Sequence, residues 1–414
     1  MATTPGTAVP GTSVPSGSAI GPGGAQGVQG LPGPIVVSSD PGNIATIGSD
    51  NQILVPQGQI WSIRQRTFSS IGNSTFEVDQ RNVFSAIANV PNGMVQDRWG
   101  ISTGGTLRAS WQANQGQTIV VPGTSFQISQ AQVNIQSTTA EASLAAGSLF
   151  AFYQNVEGPS WRELANDVTS ISVLVYCTVA GFKFAVSLRN GAQTVSLVKL
   201  CTIPNANTWT LITLPNIPKP TSGSFPLTPG SNAYALGVCL GSGTTYIAPS
   251  VDVWNTGNFL GAPGMSNLFA TTGNTFIIGF IQHEPGPVCS TLIDYPFSQN
   301  YRDCLRYYSK SWDLGTAVGT STDAGLTSCN YSGGSSSFLP INLRFPVPMA
   351  KAPGVNIYSR TGVQSQVILI GSSLTSGISG LSAVSQRGVP FATLSATQAA
   401  QDWTMYHYAS DTGW

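Results

Sequence analysis

Short runs of β-branched and aromatic residues recur along this chain from residue 69 to about residue 308. Residues 171–176 are Ile-Ser-Val-Leu-Val-Tyr, and residues 275–281 are Thr-Phe-Ile-Ile-Gly-Phe-Ile. Glycine, proline, asparagine or serine stands between such runs, as expected where antiparallel strands are joined by tight turns. Many short strands at this spacing predict an all-β fold, an antiparallel β-sandwich or jelly roll.

One segment breaks the strand pattern. In residues 301–308, apolar and aromatic side chains recur at spacings of three and four, which places them on one face of a helix. These side chains belong to Tyr301, Cys304, Leu305 and Tyr308. We therefore predict one short helix, which closes a sandwich module of residues 69–313. Residues 314–414 return to strands and turns, and predict a smaller C-terminal β subdomain.

The first 68 residues lack the pattern of a large folded core. Residues 1–20 contain two proline-glycine pentapeptides, and predict an extended segment that anchors the chain on a partner. Residues 36–68 carry short β-branched runs divided by turn residues, and predict a small β collar.

Between these segments, residues 21–35 form five triplets that each begin with glycine. The glycines are Gly21, Gly24, Gly27, Gly30 and Gly33. Only glycine fits the crowded axis where three polyproline-type chains wind together. This collagen-like stretch therefore predicts a homotrimeric stalk. The alternative is a flexible linker that matches the period by chance.

The chain is poor in charge. Only 8% of its 414 residues are charged, and 17 basic residues balance 17 acidic ones, so we expect no nucleic-acid partner. Residues 1–39 show no basic and apolar leader, and no apolar run predicts membrane insertion. The six cysteines form no Cys-x-x-Cys pair and the two histidines stand apart. We therefore expect reduced thiols and no metal or cofactor.

Several phrases, in a fixed order, resemble a module of bacteriophage tail fibres and related virion appendages. They are residues 73–81 (Asn-Ser-Thr-Phe-Glu-Val-Asp-Gln-Arg), 97–99 (Asp-Arg-Trp), 149–158 (Leu-Phe-Ala-Phe-Tyr-Gln-Asn-Val-Glu-Gly), 209–215 (Trp-Thr-Leu-Ile-Thr-Leu-Pro), 276–286 (Phe-Ile-Ile-Gly-Phe-Ile-Gln-His-Glu-Pro-Gly), 304–308 (Cys-Leu-Arg-Tyr-Tyr) and 403–408 (Trp-Thr-Met-Tyr-His-Tyr). The chain departs from the family pattern at Ser74 and Thr75, where glycine and aspartate are usual. It also departs in residues 218–230, an insertion longer than usual.

The resemblance implies a jelly-roll, carbohydrate-binding-like domain in a homotrimeric appendage of the virion tail, assembled in the host cytoplasm. Residues 1–20 would attach to other tail or collar proteins, and the β modules would bind bacterial surface polysaccharide non-covalently. Two alternatives stay open. The chain could decorate the capsid or collar without receptor binding, or it could be a polysaccharide depolymerase.

No catalytic motif stands out in the sequence, so we expect no enzyme activity. A glycosidase needs two carboxylates on either side of the scissile bond. The nearest candidates are Glu157 with Glu163, and Asp252 near Trp254, but structural roles fit these residues better.

Sugar binding needs aromatic rings that stack on the apolar faces of sugars, and polar side chains that bond to the hydroxyl groups. Two clusters in the sequence offer this combination. We predict as ligand-binding residues Tyr246, Asp252, Trp254 and Asn255 in the first cluster, and Trp161, Arg162 and Asn166 in the second. The alternative for Trp161 and Trp254 is a place in the core or at the trimer interface.

Overall fold

The structure of the chain is a computed structural model that describes residues 46–47, 53–54, 69–124, 127–165, 168–290, 292–293, 295–330, 336–370, 374–398 and 403–414. The chain divides into two compact units, Met1–Gln57 and Gly58–Trp414. In the first unit, two short strands pair antiparallel, with Thr46 opposite Leu54. This pair falls in the predicted β collar. The predicted anchor of residues 1–20 and the glycine triplets of residues 21–35 lie outside the described residues.

The described elements are almost all strands. Numbered along the chain, the strands are β1 (Thr46–Ile47), β2 (Ile53–Leu54), β3 (Gly93–Gln96), β4 (Trp99–Gly104), β5 (Ala109–Val120), β6 (Gln127–Ser137), β7 (Leu149–Glu157), β8 (Thr169–Cys177), β9 (Phe182–Asn190), β10 (Val195–Ile203), β11 (Thr210–Ile217), β12 (Asn232–Ser242), β13 (Trp254–Thr256), β14 (Thr275–Pro285), β15 (Tyr308–Lys310), β16 (Thr327–Asn330), β17 (Ser336–Arg344), β18 (Gly354–Tyr358), β19 (Gln366–Ile370), β20 (Leu374–Ser382), β21 (Gly388–Gln398) and β22 (Trp403–Asp411). The helices are α1 (Gly158–Leu164) and α2 (Phe297–Leu305), with single 3-10 turns at Thr244–Tyr246 and Leu268–Ala270.

Two antiparallel sheets of the second unit form a sandwich. Seven described strands make one sheet, in the spatial order β13-β10-β9-β12-β7-β4-β3. Five make the other sheet, in the order β11-β8-β14-β6-β5. Side chains from both sheets share one large hydrophobic core. The predicted all-β sandwich is therefore confirmed.

Aromatic side chains fill the space between the two sheets. Trp99 on β4 stacks on Phe152 of β7, with ring centroids 4.6 Å apart. Phe184 on β9 meets Phe276 of the opposite sheet edge to face, at 5.1 Å. Trp111 on β5 is fully buried. Burial of each such side chain contributes about 1.5–3 kcal/mol, which makes this core the main source of the sandwich's stability.

The outer faces of the two sheets differ. The segment that follows β12 covers the outer face of the seven-stranded sheet, where Leu260 and Ala262 pack against Ala185 and Val198. On the five-stranded sheet, several outward-facing side chains of β6, β8 and β14 are only half-buried, among them Asn134, Tyr176 and Ile277. A strand turns successive side chains to opposite faces, so this second outer face is set by every other residue.

Both helices lie at the ends of strands. The sequence predicts one helix over residues 301–308, but α2 ends at Leu305, and Tyr308 instead begins β15. Tyr308 pairs with Asp411 of β22, so tertiary strand pairing takes over where the helical spacing would continue. Cys304 and Leu305 are buried on α2, as the spacing indicates. Helix α1 was not predicted; its early proline is tolerated because the first turn has unpaired N–H groups.

The C-terminal strands form a third sheet built around β22. This strand pairs with β15, β16, β18 and β19, and the described strands continue through β20 and β21 to β17. A separate hydrophobic cluster stabilises the sheet, with Leu339, Ile341, Val367 and Tyr406 at its centre. The Tyr406 hydroxyl donates a hydrogen bond to the Ile341 carbonyl at 2.5 Å. Strand β15 joins this sheet from the sequence before residue 314.

Candidate functional site

The candidate site is a row of side chains that crosses the outer face of the five-stranded sheet. Strand register places Gln112 of β5 opposite Asn134 of β6, and Asn134 opposite Ile277 of β14. Ile277 is in turn opposite Tyr176 of β8. Because the neighbours of these residues along each strand enter the core, all four side chains point to the outer face.

Trp209 completes the row at its far end. It directly precedes β11, whose first residue, Thr210, pairs with the residue before Tyr176. The Trp209 and Tyr176 rings lie 5.7 Å apart, with an angle of 53° between their planes. The pair therefore presents two adjacent aromatic rings on one half-buried surface.

The indole of Trp209 reaches across β8 to β14. A Cβ added at Gly279 would lie 3.3 Å from Trp209 Cζ3 and 3.0 Å from Leu174 Cδ2. Gly279 stands at a β-bulge between Ile278 and Phe280, which brings its backbone close to these side chains. The absence of a side chain at position 279 thus lets the indole lie over the sheet.

The polar members of this face have hydrogen-bonding capacity to spare. Asn134 is half-buried, and its Oδ1 is a buried atom that accepts no hydrogen bond from the described part of the chain. Gln112 Nε2 donates to the Phe84 carbonyl at 3.3 Å, a long contact. The Tyr176 hydroxyl donates to Asn207 Oδ1 at 3.0 Å. Amides and hydroxyls can each both donate and accept, as the hydroxyl groups of a sugar do.

No member of the row carries a formal charge near pH 7. Two amides, one aliphatic side chain and two aromatic rings suit a neutral, polyhydroxylated ligand, because the rings can stack on its C–H faces while the amides bond to its hydroxyls. Sequence reasoning missed this row. The available signal was alternation in two neighbouring segments, residues 109–114 (Ala-Ser-Trp-Gln-Ala-Asn) and 131–136 (Ala-Gln-Val-Asn-Ile-Gln), which places their amides on one face.

The first predicted cluster lies at the edge of the other sheet. Trp254 of β13 is half-buried, and its Nε1 donates to the Pro218 carbonyl at 2.8 Å. Asn255 Nδ2 donates to the carbonyls of Ser250 and Val253, while Tyr246 packs on the neighbouring apolar cluster. This part of the predicted cluster is therefore largely engaged with its own loop.

Asp252 of that cluster is exposed and makes an ion pair, with 2.6 Å between its Oδ1 and Lys199 Nζ. Its φ is +66°, in the left-handed region, and it precedes β13 without belonging to a strand. Because its carboxylate is exposed, a pair of this kind contributes little to stability, about 0–1 kcal/mol.

The second predicted cluster begins on α1. Trp161 is only 4% exposed, stacks on Phe225 at 4.9 Å and meets Tyr234 at 5.0 Å. Arg162 is exposed, and its Nη2 donates to the Leu227 carbonyl at 3.2 Å. Asn166 lies outside the described residues.

Phe225 brings the two predicted clusters together. It stacks on Trp161 and meets Trp254 edge to face, with 5.7 Å between the second pair of ring centroids. Phe225 belongs to the insertion of residues 218–230, so this insertion packs between the two predicted tryptophans. A sugar-binding role for these clusters stays a prediction.

A buried chain of polar groups crosses the sandwich near the start of β8. The Tyr234 hydroxyl lies 2.6 Å from Ser70 Oγ and 2.7 Å from His283 Nδ1. His283 Nε2 lies 3.0 Å from Thr169 Oγ1. Burial lowers the pKa of His283 to about 3, so the imidazole is neutral at physiological pH.

Carboxylates in the segments that resemble tail-fibre modules connect the sandwich to the C-terminal strands. Arg306 donates from Nη2 and Nε to Glu157, and the Tyr307 hydroxyl donates to Glu157 Oε2 at 2.9 Å. Burial alone would raise the pKa of Glu157, but these donors and the Gly230 N–H outweigh it, and the pKa is lowered. Glu163 is exposed on α1 and is not part of this network.

A second contact of the same kind involves Arg81 and Asp411, which form a double hydrogen bond between β22 and the loop before β3. Asp97 accepts from the backbone and side chain of Gln80. Burial raises the pKa of Asp97 to about 7, although the charge of Arg81 opposes the rise. Arg98 lies over the Tyr307 ring at 3.5 Å. These groups are tied to one another, which marks them as structural.

The described residues contain no group of three or more His, Cys, Asp or Glu side chains placed to hold a metal ion. All six cysteines are free thiols; five are buried and Cys289 is half-buried. In the part of the chain that the structure describes, no helix is long and apolar enough to span a membrane.

No protein-family model matches the chain, and no curated protein is similar to it in sequence. Some solved structures are similar to part of the chain. A family 11 carbohydrate-binding module from Clostridium thermocellum, in complex with a mixed-linked tetrasaccharide, is 11% identical, with 48% of this chain and 97% of that chain covered and a TM-score of 0.25. TmCBM61, in complex with β-1,4-galactotriose, is 12% identical, with 52% and 97% covered and a TM-score of 0.24.

A third similar structure is the enzymatically active domain of tailspike protein 4 from Bacteriophage CBA120. It is 12% identical, covers 53% of this chain with 21% of its own, and has a TM-score of 0.26. The structural neighbours are thus carbohydrate-binding modules and a tailspike domain.

Proposed function

We propose that this chain is a non-enzymatic carbohydrate-binding component of a bacteriophage tail appendage. The observation that carries the binding proposal is the uncharged row on the five-stranded sheet, with Trp209 and Tyr176 beside Asn134 and Gln112. Stacked rings with neighbouring amides are what a neutral polysaccharide requires. The ligand we propose is a bacterial surface polysaccharide.

We infer the place of the chain in a virion from its sequence. The phrases that resemble tail-fibre modules support a tail appendage, with residues 1–20 attached to other tail or collar proteins. The triplet glycines support a homotrimer. Three weak sugar sites on one stalk would gain avidity through effective concentration.

The test compares two surfaces on the purified full chain. Surface polysaccharide is extracted from a panel of bacteria, and binding is measured by calorimetry for the wild type, Trp209→Ala, Tyr176→Ala and Trp254→Ala. We expect Trp209→Ala to weaken binding about tenfold, the equivalent of about 1.4 kcal/mol of lost stacking. Trp254→Ala should leave the affinity unchanged.

Each other outcome contradicts part of the proposal. If Trp254→Ala weakens binding and Trp209→Ala does not, the site is the predicted cluster of Tyr246, Asp252, Trp254 and Asn255. Failure of the wild type to bind any polysaccharide in the panel favours a purely structural fibre. Release of reducing ends during the incubation would reveal a depolymerase.

The trimer is tested separately by light scattering. The full chain should have three times the mass of one polypeptide. Deletion of residues 1–35 should weaken this association if the glycine triplets contribute to it. A full chain that travels singly would remove the fibre proposal, but not the sugar-binding one.

A further inference from the structure

A cavity of about 430 Å³ opens on the same outer face as the aromatic row. Leu211 and Phe280 line its floor, with Val121 and Leu292 from neighbouring loops. Its volume lies in the range of small-molecule sites, about 300–1,000 Å³.

The cavity adjoins the row through shared strands. Leu211 follows Trp209 by two residues and lies on the same face, about 7 Å along the chain. Leu174 stands opposite both Leu211 and Phe280, and it also contacts the region under Trp209. A ligand lying against Trp209 therefore has the cavity directly beside it.

The chemistry of the lining selects what can enter. None of the eight lining residues is charged, and four of them, Val121, Leu211, Phe280 and Leu292, are aliphatic or aromatic. The other four, Thr124, Thr213, Ser290 and Cys289, each add one small polar group, three hydroxyls and a thiol. A bare sugar hydroxyl would lose its water here without full compensation, whereas a methyl group would gain from leaving water.

We propose that this cavity takes the methyl-ended substituent of a sugar whose ring lies beside Trp209. The substituent is an acetyl group or the C6 methyl of a 6-deoxy sugar. This inference rests on the function proposed above and names the class of sugar that the site prefers. The polysaccharide bound by the chain would then be acetylated or rich in 6-deoxy sugars.

Cys289 provides a reporter inside the cavity. It is the half-buried cysteine, while the other five are buried. Its rate of reaction with Ellman's reagent is measured on the full chain with N-acetylglucosamine or glucose, and with rhamnose or mannose. The first pair differs by an acetamido group, and the second by the oxygen at C6 together with the sugar's handedness, so L-mannose serves as a further control for rhamnose.

We expect N-acetylglucosamine or rhamnose to slow the labelling of Cys289 about threefold at twice its Kd, because only unliganded sites react. Glucose and mannose should not slow it. Protection by the acetamido sugar alone assigns the cavity to acetyl groups, and protection by rhamnose alone assigns it to 6-deoxy sugars.

A variant that fills the cavity supplies the second test. Thr213 is exposed, so Thr213→Phe can occupy the opening with little effect on folding, and should abolish the protection. Thr202→Phe, at an exposed position of β10, is the matched control. If neither methyl-bearing sugar protects Cys289 more than its hydroxylated counterpart, the inference fails. Polysaccharide binding that depends on Trp209 would still uphold the proposed function.

Discussion

The indole of Trp209 lies over the backbone of Gly279, where an added Cβ would stand 3.3 Å from Trp209 Cζ3. The same Cβ would stand 3.0 Å from Leu174 Cδ2, and both distances are tighter than ordinary contact. The position of Trp209 in the candidate row therefore depends on Gly279, which has no side chain that could contact a sugar. A substitution at Gly279 would therefore move the indole while leaving the indole itself unchanged, which makes this position useful for a test.

Gly279→Ala should displace Trp209 without removing it. We expect the substitution to cost about 1 kcal/mol of stability by overpacking and to weaken polysaccharide binding several-fold. Calorimetry measures the loss of binding, and unfolding followed by tryptophan fluorescence measures the loss of stability. Gly147→Ala is the control, because a Cβ there meets nothing within 4 Å. Equal affinity of Gly279→Ala and wild type would show that the indole does not support the ligand.

His283 should make the sandwich sensitive to mild acid. Its folded-state pKa is about 3, whereas an unfolded histidine titrates near pH 6.5. Between these values the unfolded chain binds one more proton, so stability falls as the pH drops from about 6.5 toward 3, by up to about 1.4 kcal/mol per pH unit.

Denaturant unfolding at several pH values tests this contribution. In His283→Gln the slope of the unfolding free energy against pH, between pH 6.5 and 4, should decrease by up to about 1.4 kcal/mol per pH unit, the contribution of one proton. His407→Gln should change this slope less. His407 is also buried enough for its pKa to be lowered, but its Nε2 bonds to the Thr322 carbonyl, which favours the charged form. An unchanged slope in His283→Gln would contradict the assignment.

The contact of Glu157 with Arg306 and Tyr307 should stabilise the end of helix α2, which these two residues directly follow. The folded-state pKa of Glu157 is lowered, so its contribution is fully present above about pH 4.5 and is lost as the pH falls through the folded value. Glu157→Gln should cost about 2 kcal/mol at pH 7, because charged hydrogen bonds are replaced by weaker ones. Thermal unfolding measures the loss.

Glu163→Gln is the matched control for that variant, since Glu163 is exposed on the adjoining helix. It should change stability by less than about 0.5 kcal/mol. Equal stabilities of Glu157→Gln and Glu163→Gln would show that the Glu157 contact does not stabilise the fold.

One thiol of six should react in the folded protein. Burial raises the pKa of Cys289 and slows its reaction, but the other five thiols are more enclosed. Titration with Ellman's reagent under native conditions should modify one cysteine per chain, and Cys289→Ser should abolish the signal. Rapid modification of a second thiol would show that the fold opens locally around that cysteine.

The sandwich was predictable because its signal is local. Strands such as β8 and β14 announce themselves by runs of β-branched and aromatic residues, and turn residues divide them. The end of α2 was not predictable in this way. Tyr308 keeps the helical spacing, but pairing with Asp411, more than a hundred residues away, places it in a strand.

The candidate row was missed for a related reason. Gln112, Asn134 and Tyr176 come from distant parts of the chain, and only strand register sets them side by side. The sequence does show that their amides alternate with core residues, but not which strands are neighbours. Local clustering favoured Trp161 instead, and this side chain packs against Phe225 in the interior.

The most direct test is a crystal structure of the chain with an oligosaccharide cut from the polysaccharide it binds. We predict a sugar ring within about 4 Å of the Trp209 indole, with one of its hydroxyls bonded to the Asn134 amide. A sugar bound beside Trp254 and Asn255, with the face of the five-stranded sheet left bare, would contradict the account.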